Sequence, residues 1–248
     1  MIIDAHAHLG VDRVFEEARD EKQLMDAMDK NGVDAVLLQS MFGYITMEDI
    51  RAGHDRIAGL AKAQPGRVFG MITMTPYLKT GEFKAEARRC VEELGFVGLK
   101  LHPMAMAVSP LSRVGEMMWE TCADLEIPIM VHTGAGAPMA VPSLCIQRAK
   151  QFPEVPCVLA HCGMVVYFAE TVVAAAQCDN IYMETSWTAP HHIDELIRQY
   201  GSGRVMFGSD EDINIPAELA KYKSLHISEQ EREDCLWKTA NHVFQLGL

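Results

Sequence analysis

Read from the N-terminus, short apolar runs rich in β-branched residues alternate with longer stretches whose apolar positions return every three or four residues. The short runs cover residues 2–8, 35–39, 68–73, 97–102, 127–132, 157–161, 181–184 and 204–207. Helical periodicity marks residues 21–30, 48–63, 83–94, 114–125, 144–151, 165–176, 193–200 and 228–246. Within 86–94, Ala87, Cys90, Val91 and Leu94 share one stripe, which predicts that Glu86, Arg88, Arg89, Glu92 and Glu93 lie outside it. Strand-then-helix alternation predicts a parallel sheet, and eight such units in series predict a closed (β/α)8 barrel. An open doubly wound sheet would normally carry a phosphate loop, and neither GxGxxG nor GxxxxGK[ST] occurs. A chain of 248 residues is the usual length for such a barrel, so residues 1–248 are expected to form one domain.

Composition narrows the partners. Apolar residues make up 49% and charged residues 23%, which suits a chain that buries a core and argues against disorder. The net charge of −12 repels phosphate backbones and acidic membrane surfaces, so nucleic acid and membrane are not expected partners, and a small-molecule substrate is. No run approaches the roughly 18–20 apolar residues of a membrane span. The N-terminus lacks the basic and apolar regions of an export signal, and the seven cysteines include no CxxC pair, so reduced thiols in a cytoplasm are expected. A homo-oligomer is compatible with all of this.

Barrel enzymes build their sites at the C-terminal ends of the strands, and here those ends are polar. The first run ends in His6-Ala7-His8, the fourth in Lys100-Leu101-His102, the fifth in His132, the sixth in His161 and the seventh in Glu184, while Asp210 follows the eighth. Two histidines two apart on a strand project from one face, a spacing suited to chelation. His132 and Asp210 add a third neutral nitrogen and an anionic oxygen at the same end, a set suited to a divalent metal with an open position.

These residues lie in stretches that resemble the amidohydrolase superfamily, closest to the branch containing aminocarboxymuconate-semialdehyde decarboxylase and related hydrolases. The resemblance rests on Ile3-Asp4-Ala5-His6-Ala7-His8, Gly98-Leu99-Lys100-Leu101-His102-Pro103, Val131-His132-Thr133-Gly134, Ala160-His161-Cys162-Gly163, Glu184-Thr185-Ser186 and Phe207-Gly208-Ser209-Asp210. A closing segment, Thr239-Ala240-Asn241-His242-Val243-Phe244, resembles the family's last helix. The resemblance implies that His6, His8, His132 and Asp210 hold the metal, that Asp210 also relays protons, and that His161 stands beside the metal-bound water. Zinc is the expected ion, with manganese as the alternative, one per chain rather than two.

The other polar strand ends carry two readings each. Lys100 is either carbamylated between two metals or, as expected here, an unmodified ammonium facing a substrate carboxylate. His102 either touches substrate or packs under the loop 103–110. Glu184 either orients a metal-bound histidine or pairs with Lys100. Trp187, His191 and His192 are candidate pocket residues, as are Met104, Met106 and Met139. Cys162 is not expected to be a nucleophile. The function expected first is hydrolysis of a small ester, lactone or amide by metal hydroxide, with non-oxidative decarboxylation of a small unsaturated or aromatic acid second. A metal-binding barrel without turnover is third.

Overall fold

The computed structural model describes residues 1–136 and 138–248. The eight apolar runs become strands β1 (Ile3–Val11), β3 (Ala35–Ser40), β4 (Val68–Ile72), β5 (Gly98–Leu101), β6 (Ile129–His132), β7 (Cys157–Ala160), β8 (Ile181–Glu184) and β9 (Val205–Met206). Each pairs in parallel with the next along the chain. The last strand returns to the first: Ala5 N donates to Phe207 O at 3.0 Å, Asp210 N donates to His6 O at 2.7 Å, and Ala7 bridges Asp210. The sheet is therefore a closed (β/α)8 barrel. A two-residue strand absent from the sequence pattern, β2 (Ala18–Arg19), folds back antiparallel on the end of β1.

Helices α1 (Glu21–Asn31), α2 (Met47–Ala63), α3 (Thr80–Glu92), α4 (Arg113–Leu125), α5 (Ile146–Gln151), α6 (Phe168–Gln177) and α7 (Pro190–Tyr200) fill the crossovers. Capping sets several boundaries. Asp20 forms a capping box with Gln23 at the start of α1, and Gly32 at φ +68° ends it in the left-handed conformation. Residues 165–167 were expected to be helical, but α6 begins only at Phe168, and Val165 and Val166 are exposed in the preceding turn. Helix α8 (Ile215–Ser224) escapes the periodicity because its buried face includes the acid Glu218 beside Ile215, Leu219 and Tyr222. The C-terminal stretch splits into α9 (Glu229–Glu233), a π turn over Asp234–Lys238 and α10 (Thr239–Val243). The Cys235 carbonyl in that turn accepts from Phe207 N at 2.8 Å, so the bulge ties the last helix to the last strand.

Two apolar clusters form the core, one between helices and strands and one inside the barrel. The inner cluster takes Ile3, Ala5, Leu37, Met71, Met130, Val158 and Met206, with Ala240, Val243 and Phe244 of α10 and its end packed against them. The register of β1 shifts between Asp4 and Ala7, where three steps on β1 match two on β3. Before the shift Ile3 and Ala5 face the inner core, and after it Ala7 and Leu9 pack outward, so His6 and His8 turn into the barrel mouth. No described helix is long and apolar enough to cross a membrane.

Glu86 departs from its expected place outside the stripe of α3, for it is completely buried. Three donors repay its desolvation: His54 Nδ1 at 3.0 Å, Arg51 Nε at 2.8 Å and Arg89 Nη2 at 2.8 Å. The other nitrogen of His54 meets Thr73 O at 3.1 Å, so this network fastens α2 and α3 to the end of β4. Burial alone would raise the Glu86 carboxyl, but the hydrogen bonds from His54, Arg89 and Arg51 hold it well below its ordinary 4.5.

A carboxyl depressed in the folded state stabilises fully above its unfolded value and loses that stabilisation as pH falls below about 4.5. The melting temperature should therefore fall more steeply between about pH 5 and pH 3 in the wild type than in Glu86→Gln. Glu86→Ala, which strands two arginines and a buried histidine, should cost about 3 kcal/mol or more in denaturant unfolding at neutral pH.

Candidate metal centre

The barrel seam places the central residues. Asp4, fully buried, accepts from Ser209 N at 2.9 Å, from Ser209 Oγ at 2.5 Å and from His6 N at 3.1 Å. Burial raises its carboxyl to about 7 against the pull of these bonds. One carboxyl thus joins the residue before Asp210 to the backbone of His6.

Across that seam His6 Nε2 and His8 Nε2 lie 3.2 Å apart, and each is 3.3 Å from Asp210 Oδ1. The centre of such a triangle is about 1.9 Å from each corner, close to the 2.0–2.2 Å bonds that imidazole and carboxylate make to a divalent ion. His6 Nδ1 donates to Glu184 Oε2 at 2.8 Å, which fixes the tautomer and leaves the Nε2 lone pair facing the triangle. Burial, with the charge of Lys100 second, keeps His6 neutral, well below its ordinary value. The three atoms fit a divalent ion in both distance and chemistry.

Lys100, also buried, donates to His6 Nε2 at 2.6 Å, the lone pair that an ion would take. Among the described residues it makes no ion pair with Glu184 or Asp210. Burial lowers its ammonium to about 8, with Asp210 and Glu184 opposing. Glu184 is raised to about 7 by burial, against hydrogen bonds from Ser186 N at 2.5 Å and Ser186 Oγ at 2.9 Å. It does not line the cavity; it works from behind, on His6 and Ser186.

His161 Nδ1 donates to Ser186 Oγ at 2.7 Å, so Ser186 passes the hydrogen bond to Glu184 and the His161 Nε2 is left free. Residues 161–164 all have positive φ, at 68°, 49°, 71° and 53°, a tight turn that puts His161 at the mouth. The neighbouring Cys162 thiol is buried, donates to Glu184 O at 3.1 Å and is pushed up by burial, the environment of an inert thiol.

Two expected site residues sit elsewhere. His132 stands apart from the triangle because its Nε2 donates to Ala135 O at 2.8 Å and its ring stacks on His102 at 3.9 Å. It lines the cavity as a wall. Trp187 is not among the cavity residues; its indole Nε1 donates to Asp210 Oδ2 at 2.8 Å. His192 stacks on Phe168 and neither it nor His191 lines the cavity. The cavity, about 290 Å³, has His8, Lys100, His161 and Asp210 beside the apolar Phe15, Met41, Phe42 and Met104, with His102 and His132 on one side and Asp12, Glu17 and Glu211 also in its lining. Sequence reasoning missed Gln39, whose Nε2 lies 3.3 Å from His8 Nε2, because it ends an apolar run like any core strand, and Met41 and Phe42, because they are apolar residues just beyond that strand with no polar signal to mark them.

A closed parallel barrel with histidines and an aspartate converging at the strand ends is an arrangement suited to a divalent metal. The family described as amidohydrolase matches residues 3–246, and the chain belongs to it. Gamma-resorcylate decarboxylase from Polaromonas sp. JS666 is 22% identical over 283 residues, covering 89% of this chain and 86% of the relative. The fold is shared with 5-carboxyvanillate decarboxylase from Sphingomonas paucimobilis (TM-score 0.81, 15% identity, 98% of both chains). It is also shared with dihydroxybenzoic acid decarboxylase from Polaromonas sp. JS666, solved with manganese and the inhibitor 2-nitroresorcinol (TM-score 0.78, 18% identity, 100% of this chain and 97% of that one).

Gly208 offers a direct test of the support behind His6. A Cβ there would come within 2.4 Å of Glu184 Oε1, so Gly208→Ala must displace the carboxylate that orients His6. We expect metal affinity to drop about 10–100-fold by titration calorimetry while the circular dichroism spectrum is retained. Replacing His6 and His8 together by Ala should abolish metal binding, and unchanged metal content would place the ion elsewhere.

Proposed function

We propose that this protein is a metal-dependent, non-oxidative decarboxylase of a small aromatic monocarboxylic acid, with His6, His8 and Asp210 holding one divalent ion. Manganese is the ion proposed, in line with the relative solved with it, in place of the zinc expected first. The observation that carries the reading is a cavity of about 290 Å³, room for one ring, in which a buried lysine adjoins the histidine–aspartate triangle beneath an apolar wall. Decarboxylation takes the place of hydrolysis as first choice because the three relatives described above are decarboxylases.

When bound, the ion supplies fixed positive charge that helps hold and polarise the acid. The protein supplies the rest. Lys100 attracts the carboxylate to the polar floor, while Phe15, Met41, Phe42 and Met104 pack the ring and exclude water. As CO2 leaves, the bonding pair stays on the ring carbon, which must gain one proton. His161 Nε2, left with its lone pair by the Nδ1–H bond to Ser186, is the nitrogen proposed to take a proton from solvent and pass it to that carbon.

The single carboxylate follows from charge. Among the described residues that line the cavity, Lys100 is the one lysine or arginine, whereas Asp12, Glu17 and Glu211 also line it. Arg19 nearby is already engaged by Glu17 at 3.2 Å, Glu211 at 3.1 Å and Asp212 at 3.6 Å. A second carboxylate, beyond the one that the ion and Lys100 would receive, would meet these acids with no further lysine or arginine among the described cavity residues to offset it.

Incubated with Mn²⁺, the protein should release CO2 from gamma-resorcylate with kcat/KM at least about tenfold above that for the dicarboxylate 5-carboxyvanillate. Chelation should abolish release and Mn²⁺ should restore it. Hydrolysis of lactones or esters without CO2 release from any aromatic acid would overturn the reading.

A further inference from the structure

The two oxygens of Asp210 have different partners. Oδ1 faces His6 and His8, and Oδ2 accepts the indole N–H of Trp187 at 2.8 Å. A carboxylate with one free oxygen can turn and exchange its oxygens; an N–H held in place ends that equivalence.

The donor is held in place. Trp187 and Asp210 both have positive φ, at 60° and 68°; aspartate visits this region readily, but the bulky Trp187 adopts it only when the surroundings impose it. The imposing group is Glu218 of α8, which is buried and accepts from Trp187 N at 3.0 Å. Glu218 is fixed in turn by Lys221 Nζ at 2.6 and 2.5 Å and by Asn214 Nδ2 at 3.1 Å. That same Asn214 amide donates to Ser209 O at 3.1 Å, one residue before Asp210. Both ends of the indole–carboxylate bond are thus anchored to one buried acid.

We infer that Trp187 is a positioning residue that assigns the oxygens of Asp210, holding Oδ2 so that Oδ1 is the one turned to His6 and His8. The inference rests on the reading of His6, His8 and Asp210 as the metal-holding set. Its contact with the site is the indole N–H on Asp210, while the ring is not among the residues lining the cavity.

Trp187→Phe keeps an aromatic ring and removes the N–H together with the five-membered half of the indole. It should lower Mn²⁺ affinity about tenfold by calorimetry and lower kcat for gamma-resorcylate about tenfold or more, with KM changed less than about twofold. In the wild type, Mn²⁺ added to metal-free protein should quench part of the tryptophan emission, and that part should be missing in Trp187→Phe; the wild-type quench is readable even if the variant does not fold. Raised KM with unchanged kcat and metal affinity would make Trp187 a substrate contact and overturn the inference. So would stoichiometric Mn²⁺ binding to wild type without quenching. A wild type that binds no Mn²⁺ and releases no CO2 would instead bring down the functional reading, and this inference with it.

Discussion

The seam between the last strand and the first is the constraint on which the site depends. Strand β9 is only two residues long, and its ladder to β1 continues beyond it through Asp210 N to His6 O. Asp4 locks the junction by accepting from Ser209 and His6 at once. Residues some two hundred positions apart are thereby held to within hydrogen-bonding distance. Because Ser209 precedes Asp210 and His6 is itself in the triangle, barrel closure and assembly of the centre are one event.

A second constraint is the handling of buried charge. His6, Lys100, His161, Glu184 and Asp4 are all essentially inaccessible, and an unpaired ion at such depth would be costly. Glu184 resolves much of this by receiving His6, Ser186 and the backbone of His161. Gly208 exists opposite it because the space a Cβ would need is occupied by the carboxylate. Burial pulls Lys100 down to about 8 while its acidic neighbours pull the other way, so the floor of the cavity combines neutral imidazoles with one ammonium. The same economy appears on the outer layer, where Glu86 is buried among His54, Arg51 and Arg89.

Much of the architecture was legible in order and number. Eight apolar runs gave eight parallel strands, since period and β-branching report directly on backbone geometry. Two of the departures share a cause. Glu86 and Glu218 are acids on buried faces, and a periodicity argument sorts residues by polarity without seeing the partners that make burial tolerable. Strand β2 is too short to carry a period at all.

For the centre, the sequence alone determined the inventory and its level in the barrel: histidines, lysine, glutamate and aspartate at successive strand ends, which in a parallel barrel share one face. Which of them meet was decided only by tertiary structure. His6, His8 and Asp210 converge because β1 shifts register and β9 closes on it, whereas His132 is taken by the carbonyl of Ala135. Trp187 looked like a pocket residue by position and turned out to bond Asp210, through a backbone set by Glu218. Strand position is a local property, written in the alternation of neighbouring residues. A side chain's direction and hydrogen-bond partner depend on atoms brought from elsewhere in the chain, and these are fixed only when the barrel closes.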